Sequence, residues 1–327
     1  MLDSKAETAL GELTTAFADF IRDYPQLEVG RRINPIDAFA LWRTLLRRNP
    51  DPAIELPMLL SYSRTYRELL TELADSAEYK RAHPILPGGH VWMAEVDGFR
   101  FWFNTGDREM GVLMGTGNYE PEVRDLMKTI VRPGMRCIDA GANTGYYTCL
   151  LGTLAGSAGK VYAFEPMPQN FRMLNKNVAE NKLGRVVETY QLACSSSSRS
   201  IEATAVANMY IARSHHDGEK VSMKAAAVDE LISGVVDVIK VDVEGHEMEA
   251  LTGMSRIIRD HRPLIFSEIN EYWLRICART SGKTYLEYLN DLGYRVCNVK
   301  FPEVELQASE FCMDILDTMD VIAYPRA

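Results

Sequence analysis

The stretch VRPGMRCIDAGANTGYYT, residues 131–148, constrains this chain most, because it predicts a strand, a turn and a helix in immediate succession. The apolar-leaning run Arg136–Ile138 follows a proline-glycine turn signal and ends at Asp139, as a short buried strand does. Gly141 and Gly145 can adopt positive φ where the chain turns, and the small residues between them let a ligand approach the backbone. The spacing G-x-x-x-G differs from the dinucleotide pattern G-x-G-x-x-G and argues against a nicotinamide or flavin site.

A second apolar run, VYAFEP at residues 161–166, also ends in an acid. Glu165 follows Asp139 at close to the offset of roughly 20 residues at which a dinucleotide fold places its ribose-binding carboxylate. A carboxylate at that position can accept hydrogen bonds from both ribose hydroxyls. The alternative is an ordinary βαβ unit with solvated strand-end acids, and the two motifs in register favour a nucleoside ligand over it.

Five stretches of the chain together carry a family pattern. They are YEP at 119–121, DAGANTGYYT at 139–148, GKVYAFEPMPQNFRMLNKNVAENKL at 159–183, DVIKVDVEGHEMEALTG at 237–253 and RPLIFSEI at 262–269. In this order they resemble the FkbM-type S-adenosylmethionine-dependent methyltransferases. The resemblance implies a class I methyltransferase fold and methyl transfer, usually to oxygen.

The cofactor-binding set predicted from these stretches combines the turn, the strand-end acids and the segment before the first strand. Its members are Tyr119, Glu120, Asp139, Gly141, Ala142, Asn143, Gly145, Glu165, Pro166, Ala193 and Asp242. In related folds the segment before the first strand closes over the cofactor, so Tyr119 and Glu120 are lid candidates. Alternatively, Glu120 and Glu122 only favour the N-terminus of a helix.

Methyl transfer to a hydroxyl needs a base at the carboxyl edge of the sheet, where open α/β sheets bind their ligands. Asp242, His246 and Glu268 are the predicted catalytic residues, and His246 is the predicted general base because its ordinary pKa lies near the working pH. In one alternative, Asp242 and Glu268 bind a divalent ion such as Mg²⁺, which orients two sugar hydroxyls. In another, His246 and Glu247 only cap the following helix.

The amino-terminal part predicts a separate helical domain. Apolar residues recur at helical spacing in residues 4–23 and 35–48, and a third helix is predicted for residues 63–79. We therefore expect a helical module in residues 1–84 and a methyltransferase domain in residues 85–327. The module resembles those of bacterial glycosyltransferases and surface-polysaccharide proteins, and its helices offer a surface for oligomerisation. The alternative is a helical cap packed on the catalytic domain.

Composition excludes several classes of protein. A formal net charge of −9 argues against a nucleic-acid groove, which draws most of its affinity from Lys and Arg. No run approaches the roughly 20 apolar residues that span a bilayer, and the amino terminus has no secretory leader pattern. The six cysteines form no C-x-x-C pair and mostly sit in apolar runs, as buried thiols do. We expect a protein of the reducing cytoplasm.

Strands alternating with helices predict a doubly wound α/β sheet. Further strands are expected at residues 186–194, 236–241 and 264–266, followed by a closing antiparallel pair at residues 294–299 and 321–324. Residues 91–104 predict a β-hairpin that turns at Asp97-Gly98. Residues 200–226 predict a polar hairpin insertion in which His215-His216 lie in a solvated loop.

The acceptor is the least constrained element of the prediction, because pockets for acceptors are built from variable loops. We expect O-methylation of a sugar hydroxyl in a surface glycan or glycosylated metabolite. Tyr272 and Trp273 offer an aromatic face to a sugar ring, or else pack in the core. The alternatives are a non-sugar secondary metabolite as acceptor, and a non-catalytic protein that binds the cofactor or a partner.

Overall fold

The computed structural model describes residues 85–86, 89–104, 110–115, 117, 119–206, 209–212, 220–315 and 317–326. The helices predicted within residues 1–84 lie outside these ranges, as do His215 and His216, so the boundary at residue 84 stays a prediction. The chain divides into two compact units. Residues 95–102 and 119–327 form the second unit. None of the helices described in these ranges has the length and apolar character needed to span a bilayer.

The second unit and its neighbouring segments alternate strands and helices along the chain. The strands are β1 (Ile85–Leu86), β2 (Gly89–Val96), β3 (Phe99–Asn104), β4 (Arg136–Ala140), β5 (Lys160–Phe164), β6 (Val187–Tyr190), β7 (Ala193–Cys194), β8 (Arg199–Val206), β9 (Met209–Ala212), β10 (Lys220–Ala226), β11 (Val238–Val241), β12 (Leu264–Asn270), β13 (Tyr294–Asn298) and β14 (Thr318–Pro325). The helices are α1 (Met110–Gly115), α2 (Pro121–Ile130), α3 (Tyr146–Ala155), α4 (Pro168–Glu180), α5 (Glu247–Thr252), α6 (Ser255–His261), α7 (Glu271–Trp273) and α8 (Gly282–Asp291).

The central sheet has seven strands in the order β13-β14-β12-β11-β4-β5-β6. Strands β6, β5, β4, β11 and β12 are parallel, whereas β14 runs antiparallel to β12 on one side and to β13 on the other. The chain leaves β4 towards β5 and β6, and later returns to place β11 on the other side of β4. This order confirms the predicted doubly wound α/β sheet and its closing antiparallel pair, and it puts a topological switch point between β4 and β11.

The core explains why the central strands are short apolar runs. Ile138, Val161, Ile239, Ile265 and Val321, one from each of five neighbouring strands, are fully buried. Helices cover both faces of a doubly wound sheet, so the strands need apolar side chains in both directions. All four residues of β11 are buried, and one of them is a lysine.

Several observed strands differ in extent from the predicted ones, and two of these differences bear on the site. The strand predicted for residues 186–194 ends at Tyr190, and Ala193–Cys194 form β7, which pairs parallel with β10 in a separate four-stranded sheet. Strand β12 continues past Phe266 to Asn270, so Glu268 lies inside the strand, directly opposite Asp320 of β14. The insertion has the predicted antiparallel character, because β8 pairs antiparallel with both β9 and β10.

The predicted hairpin turn lies where the sequence placed it. Asp97 and Gly98 join β2 to β3, and both residues have positive φ, 49° and 85°. Two consecutive residues of positive φ define a type I′ turn, whose twist matches that of the flanking strands. The Asp97 carboxylate accepts a hydrogen bond from Lys128 Nζ at 2.6 Å and another from the Tyr146 hydroxyl.

Candidate functional site

The turn after β4 is fixed by backbone hydrogen bonds and by a close backbone contact. The N–H groups of Gly141 and Ala142 donate to the Phe164 carbonyl at 3.0 and 2.9 Å. Gly141 has φ 87°, and a Cβ at this position would overlap the carbonyl oxygen of Asp242. The loops after β4 and β11 therefore meet backbone to backbone at the switch point, where ligands of such sheets bind.

Glu165 lies beside this turn with a buried carboxyl group. One oxygen accepts from the backbone N–H of Asn143 at 2.9 Å and the other from that of Met167 at 2.8 Å. Burial raises the pKa of Glu165 to about 7, although both backbone N–H groups oppose the rise. Each carboxylate oxygen has a second lone pair, so Glu165 can still accept hydrogen bonds from two hydroxyl groups of a ligand.

Asp139 is fully buried near the end of β4. Its Oδ2 accepts from the Thr148 hydroxyl at 2.5 Å, whereas its Oδ1 is buried and has no hydrogen-bond partner among the described residues. Burial raises the pKa of Asp139, and the charge of Lys240 opposes the rise. A buried acceptor without a partner is rare in a native fold, and a donor from a bound ligand would satisfy it.

A pocket opens at the carboxyl ends of β11 and β12, and acids dominate its polar lining; we call it the carboxylate pocket. It is lined by Glu120, Val123, Lys240, Val241, Asp242, Phe266, Ser267, Glu268, Asp320 and Val321. The antiparallel β14 contributes Asp320 because the amino end of this strand lies at the carboxyl edge of the parallel ones. Glu120, just before α2, adopts φ 40° and completes the lining.

Lys240 is the cation of the pocket, and its side chain is only 6% exposed. Its Nζ lies 2.9 Å from Asp242 Oδ2 and 4.6 Å from the centre of the Tyr147 ring. The Tyr147 hydroxyl donates to Glu120 at 2.6 Å, which joins that carboxylate to the same cluster. Burial alone would lower the pKa of Lys240, but the charges of Asp242, Glu120 and Asp139 raise it above its ordinary value.

The remaining carboxyl groups of this region titrate at unusually high pH. Burial, followed by the charge of Asp242, raises the pKa of Glu268 to about 7 and that of Glu244 to about 9. Burial, followed by the charges of Glu120 and Glu268, raises the pKa of Asp320 to about 8. One ammonium group cannot balance this many carboxylates, so the pocket takes up protons near neutral pH.

The three predicted catalytic residues do not all reach the pocket. Asp242 and Glu268 line it, whereas His246 is not among its lining residues. The Nδ1 of His246 lies 3.7 Å from Glu249 Oε2, and Glu249 also accepts from the Ser195 hydroxyl at 2.9 Å. His246 therefore stays a prediction as general base, in a position turned towards Glu249.

Glu247 supports the loop that carries Asp242. Its Oε1 accepts from the backbone N–H groups of Val243 at 3.2 Å and of Gly245 at 3.0 Å. These donors belong to the loop before α5 and not to its first turn, so Glu247 stabilises the loop, and the helix-capping interpretation stays a prediction. His246 occupies the N-cap position without a side-chain cap bond.

The other predicted cofactor residues differ in burial. Tyr119 is buried, with its ring 5.8 Å from that of Tyr146 in an edge-to-face contact. Pro166 is half-buried directly after Glu165, and Ala193 follows the end of β6. No group of three or more His, Cys, Asp or Glu side chains arranged to hold a metal ion occurs in the part of the chain that the structure describes.

Sequence reasoning missed Lys240 and Asp320, which line the pocket, and Tyr147, which contacts the lining residues Lys240 and Glu120. A lysine within the apolar run VIKV is a usable signal, because lysine is almost never fully buried without a partner. Asp320 precedes the apolar run at residues 321–324 near the amino end of β14, and in this antiparallel strand that end faces the site. Tyr147 carries no comparable signal, since aromatic residues at helical spacing usually belong to the core.

Comparison with known proteins gives a consistent assignment. Residues 139–296 match the family model of the methyltransferase FkbM domain. Hexuronic acid methyltransferase AglP of Haloferax volcanii is 36% identical over 126 residues, which are 37% of this chain and 50% of that protein. The chain thus spans about half the length of this curated relative.

Two solved structures illustrate the structural likeness. Methyltransferase FkbM from Methylobacillus flagellatus is 14% identical with a TM-score of 0.42, covering 89% of this chain and 62% of that chain. TYW2 of M. jannaschii in complex with AdoMet is 15% identical with a TM-score of 0.43, covering 73% of this chain and 87% of that chain. The glycine turn, the strand-end acids and most of the carboxylate pocket fall within the matched range of the sequence. The family match is to the methyltransferase FkbM domain, and it covers residues 139–296, a little under half of the chain.

Proposed function

We propose that this protein transfers a methyl group from S-adenosylmethionine to a hydroxyl group. The observation that carries the proposal is the position of the turn after β4, which lies between Glu165 and the carboxylate pocket. S-adenosylmethionine, when bound, supplies a methyl group activated by the positive sulfonium. Glu165 would hold its ribose hydroxyls, and the unpartnered Oδ1 of Asp139 fits a donor of the amino-acid part.

The carboxylate pocket is the proposed site of the acceptor. Glu268 already accepts from the Thr318 hydroxyl at 2.7 Å and from Asn270 Nδ2 at 3.3 Å, and these bonds fix its direction. With a pKa of about 7, Glu268 can take the proton of an acceptor hydroxyl and later release it to water. The Asp242 carboxylate forms an ion pair with Lys240 at 2.9 Å, so the geometry favours Glu268 as the base.

A sugar is the proposed acceptor, in a surface glycan or a glycosylated metabolite. Support comes from the relative AglP, whose name describes a hexuronic acid methyltransferase. Tyr272 and Trp273 lie at the end of β12 in an edge-to-face pair with ring centres 4.8 Å apart, and both are half-buried. This partial exposure leaves aromatic surface for a sugar ring.

The test is turnover with a panel of acceptors. Purified protein is incubated with S-adenosylmethionine and either hexuronic acids, neutral hexoses, deoxyhexoses or non-sugar hydroxyl compounds, and S-adenosylhomocysteine is measured. We expect turnover with a sugar, and Glu268→Gln is expected to lower kcat by roughly 100-fold, as loss of a general base does. Glu310→Gln changes an exposed carboxylate and is the matched control. Turnover confined to non-sugar acceptors would reject the sugar, and no turnover with any acceptor would favour a non-catalytic binding protein.

The same assay tests the metal-dependent alternative. If Asp242 and Glu268 share Mg²⁺, a chelator abolishes turnover and added magnesium restores it. If turnover is indifferent to the chelator, Glu268 works without a metal ion. The pairing of Asp242 with Lys240 at 2.9 Å supports the second result, because a neighbouring ammonium disfavours a divalent cation.

Cofactor affinity should depend on pH through Glu165. The carboxyl must be ionised to accept from two hydroxyls, and its pKa is about 7. Affinity measured by calorimetry should therefore rise from about pH 6 to about pH 8, and Glu165→Gln should bind roughly 10- to 100-fold more weakly without this pH dependence. Equal affinity of the variant and the wild type would remove Glu165 from the site.

Rising pH should have the opposite effect on stability, here the free energy of unfolding of wild type compared with that of Glu165→Gln. The folded pKa of Glu165, about 7, lies above the ordinary value of 4.5, so the folded protein holds this proton where the unfolded chain has lost it. Wild type should therefore lose stability relative to Glu165→Gln as the pH rises from about 4.5 to about 7. Urea denaturation across this range measures the difference independently of any ligand.

The cytoplasm is the proposed compartment, and oligomerisation through residues 1–84 stays a proposal. Five of the six cysteines are buried thiols, and Cys312 is exposed. An exposed free thiol suits a reducing compartment. Size-exclusion chromatography with light scattering, on the full chain and on residues 85–327, tests the role of the amino-terminal part.

A further inference from the structure

Helix α4 binds the edge of strand β3 through a pair of asparagine side chains. Asn177 Oδ1 accepts from the backbone N–H of Trp102 at 2.6 Å, and Asn177 Nδ2 donates to the Trp102 carbonyl at 2.8 Å. One turn later, Asn181 repeats the arrangement with Arg100, at 2.8 and 2.6 Å. Side chains four residues apart on a helix thus match backbone groups two residues apart on a strand.

Only one of the two asparagines also reaches the turn after β4. The second N–H of Asn177 Nδ2 donates a hydrogen bond to the carbonyl oxygen of Thr144 at 2.7 Å. Asn177 is fully buried, and its amide makes three hydrogen bonds, two to β3 and one to the turn. Asn181 makes none with the turn; beyond Arg100, its amide bonds the Asn177 carbonyl and contacts Cys149.

The bond to Thr144 fixes a whole peptide unit. The carbonyl of Thr144 and the N–H of Gly145 belong to the same planar group, so their directions are linked. The N–H of Gly145 donates to the Ala142 carbonyl at 2.8 Å and closes the turn. Asn177 therefore holds one end of the peptide whose other end determines the shape of the turn.

We propose that Asn177 is a positioning residue for the cofactor, because it fixes the Thr144–Gly145 peptide from behind the turn. This inference rests on the proposed function, in which the turn after β4 receives S-adenosylmethionine. The same side chain bonds Trp102 of β3, so one amide group links Trp102 and the turn. A role limited to docking the strand would be shared equally by Asn181.

Three variants separate the two roles. Asn177→Asp keeps the acceptor for the Trp102 N–H but lacks the Nδ2 donor, so it loses the bonds to the carbonyls of Trp102 and Thr144. Asn177→Ala removes all three bonds, and Asn181→Ala undocks β3 at Arg100 without touching the turn. Binding of S-adenosylhomocysteine is measured by calorimetry, and hydrogen exchange of the Gly145 amide is followed by NMR in the ligand-free protein.

Both Asn177 variants should bind about tenfold more weakly and exchange the Gly145 amide about tenfold faster, as loss of a hydrogen bond to a buried carbonyl predicts. Asn181→Ala should keep wild-type affinity and exchange, with a comparable loss of thermal stability. If Asn177→Ala fails to fold, Asn177→Asp carries the comparison. Equal effects of Asn177→Asp and Asn181→Ala, or faster exchange with unchanged affinity, would overturn the inference. No binding by wild type, with the exchange difference intact, would overturn the proposed function and with it the role in cofactor binding.

Discussion

Gly141→Ala is expected to abolish cofactor binding and to lower the free energy of unfolding by about 2–5 kcal/mol. Two effects add in this estimate: about 1–2 kcal/mol for a Cβ in the left-handed region, and about 1–3 kcal/mol for overpacking. Overpacking applies because the new Cβ would overlap the carbonyl oxygen of Asp242, a backbone atom that cannot rotate away. The two loops at the switch point would have to separate. Urea denaturation and calorimetry with S-adenosylhomocysteine measure the two effects.

Gly134→Ala is the matched control for this variant. Gly134 has φ 92°, close to that of Gly141, but a Cβ there meets nothing within 4 Å. It should therefore lose only the conformational part, about 1–2 kcal/mol, and keep its cofactor affinity. If the two alanine variants lose equal stability and bind equally well, the close approach of the loops has no role in the site.

Lys240→Met is expected to cost about 3–5 kcal/mol of stability and to stop turnover, because it removes the cation from a buried cluster of acids. The carboxyl groups of Glu120 and Asp139 would remain without the charge of Lys240, which now lowers their pKa values. Lys224→Met, at an exposed lysine of β10, is the control and should be close to neutral. The double variant Lys240→Met with Asp242→Asn should recover part of the lost stability, because it also removes the carboxylate of Asp242, which has no ion-pair partner once Lys240 is gone.

The cost of Lys240→Met should grow with pH. Without the ammonium group, the pKa values of the neighbouring carboxyls rise further, so the folded variant holds protons that the unfolded chain releases. Its stability then falls relative to wild type as the pH rises from about 5 to about 8. The carboxyl groups whose pKa values the charge of Lys240 lowers are those of Glu120, Asp139, Glu244 and Asp320. A cost that is the same at both ends of this range would show that lost packing, not lost charge, destabilises the variant.

The parts of the site that the sequence predicts well are those whose geometry is local. Asp139, the turn and Glu165 each follow an apolar run, and parallel strands necessarily bring such strand ends to one edge. The chain direction at each strand end is determined within a few residues, so the prediction needs no distant contact. For the same reason the hairpin turn at Asp97 lies where the sequence indicates it.

Asp320 and His246 depend on distant contacts and were harder to place. Asp320 reaches the pocket through antiparallel pairing with Glu268, 52 residues earlier in sequence, and its register is determined only in the folded sheet. His246 is adjacent in sequence to the Asp242 loop, which suggested a catalytic role. Ser195 and Arg199 donate to the Glu249 carboxylate that lies near His246 Nδ1, and both are distant from His246 in sequence.

The position of β14 determines when the site can form during synthesis. Strand β13 precedes β14 in sequence but hydrogen-bonds to the central sheet only through it, so β13 has no place in the sheet until residues 318–325 have left the ribosome. The carboxylate pocket likewise lacks Asp320 until then. A nascent chain that ends before β14 leaves the edge of β12 unpaired, and an exposed edge of this kind is prone to pair with another chain. Strand β14 therefore both completes the lining of the pocket and covers the edge of β12.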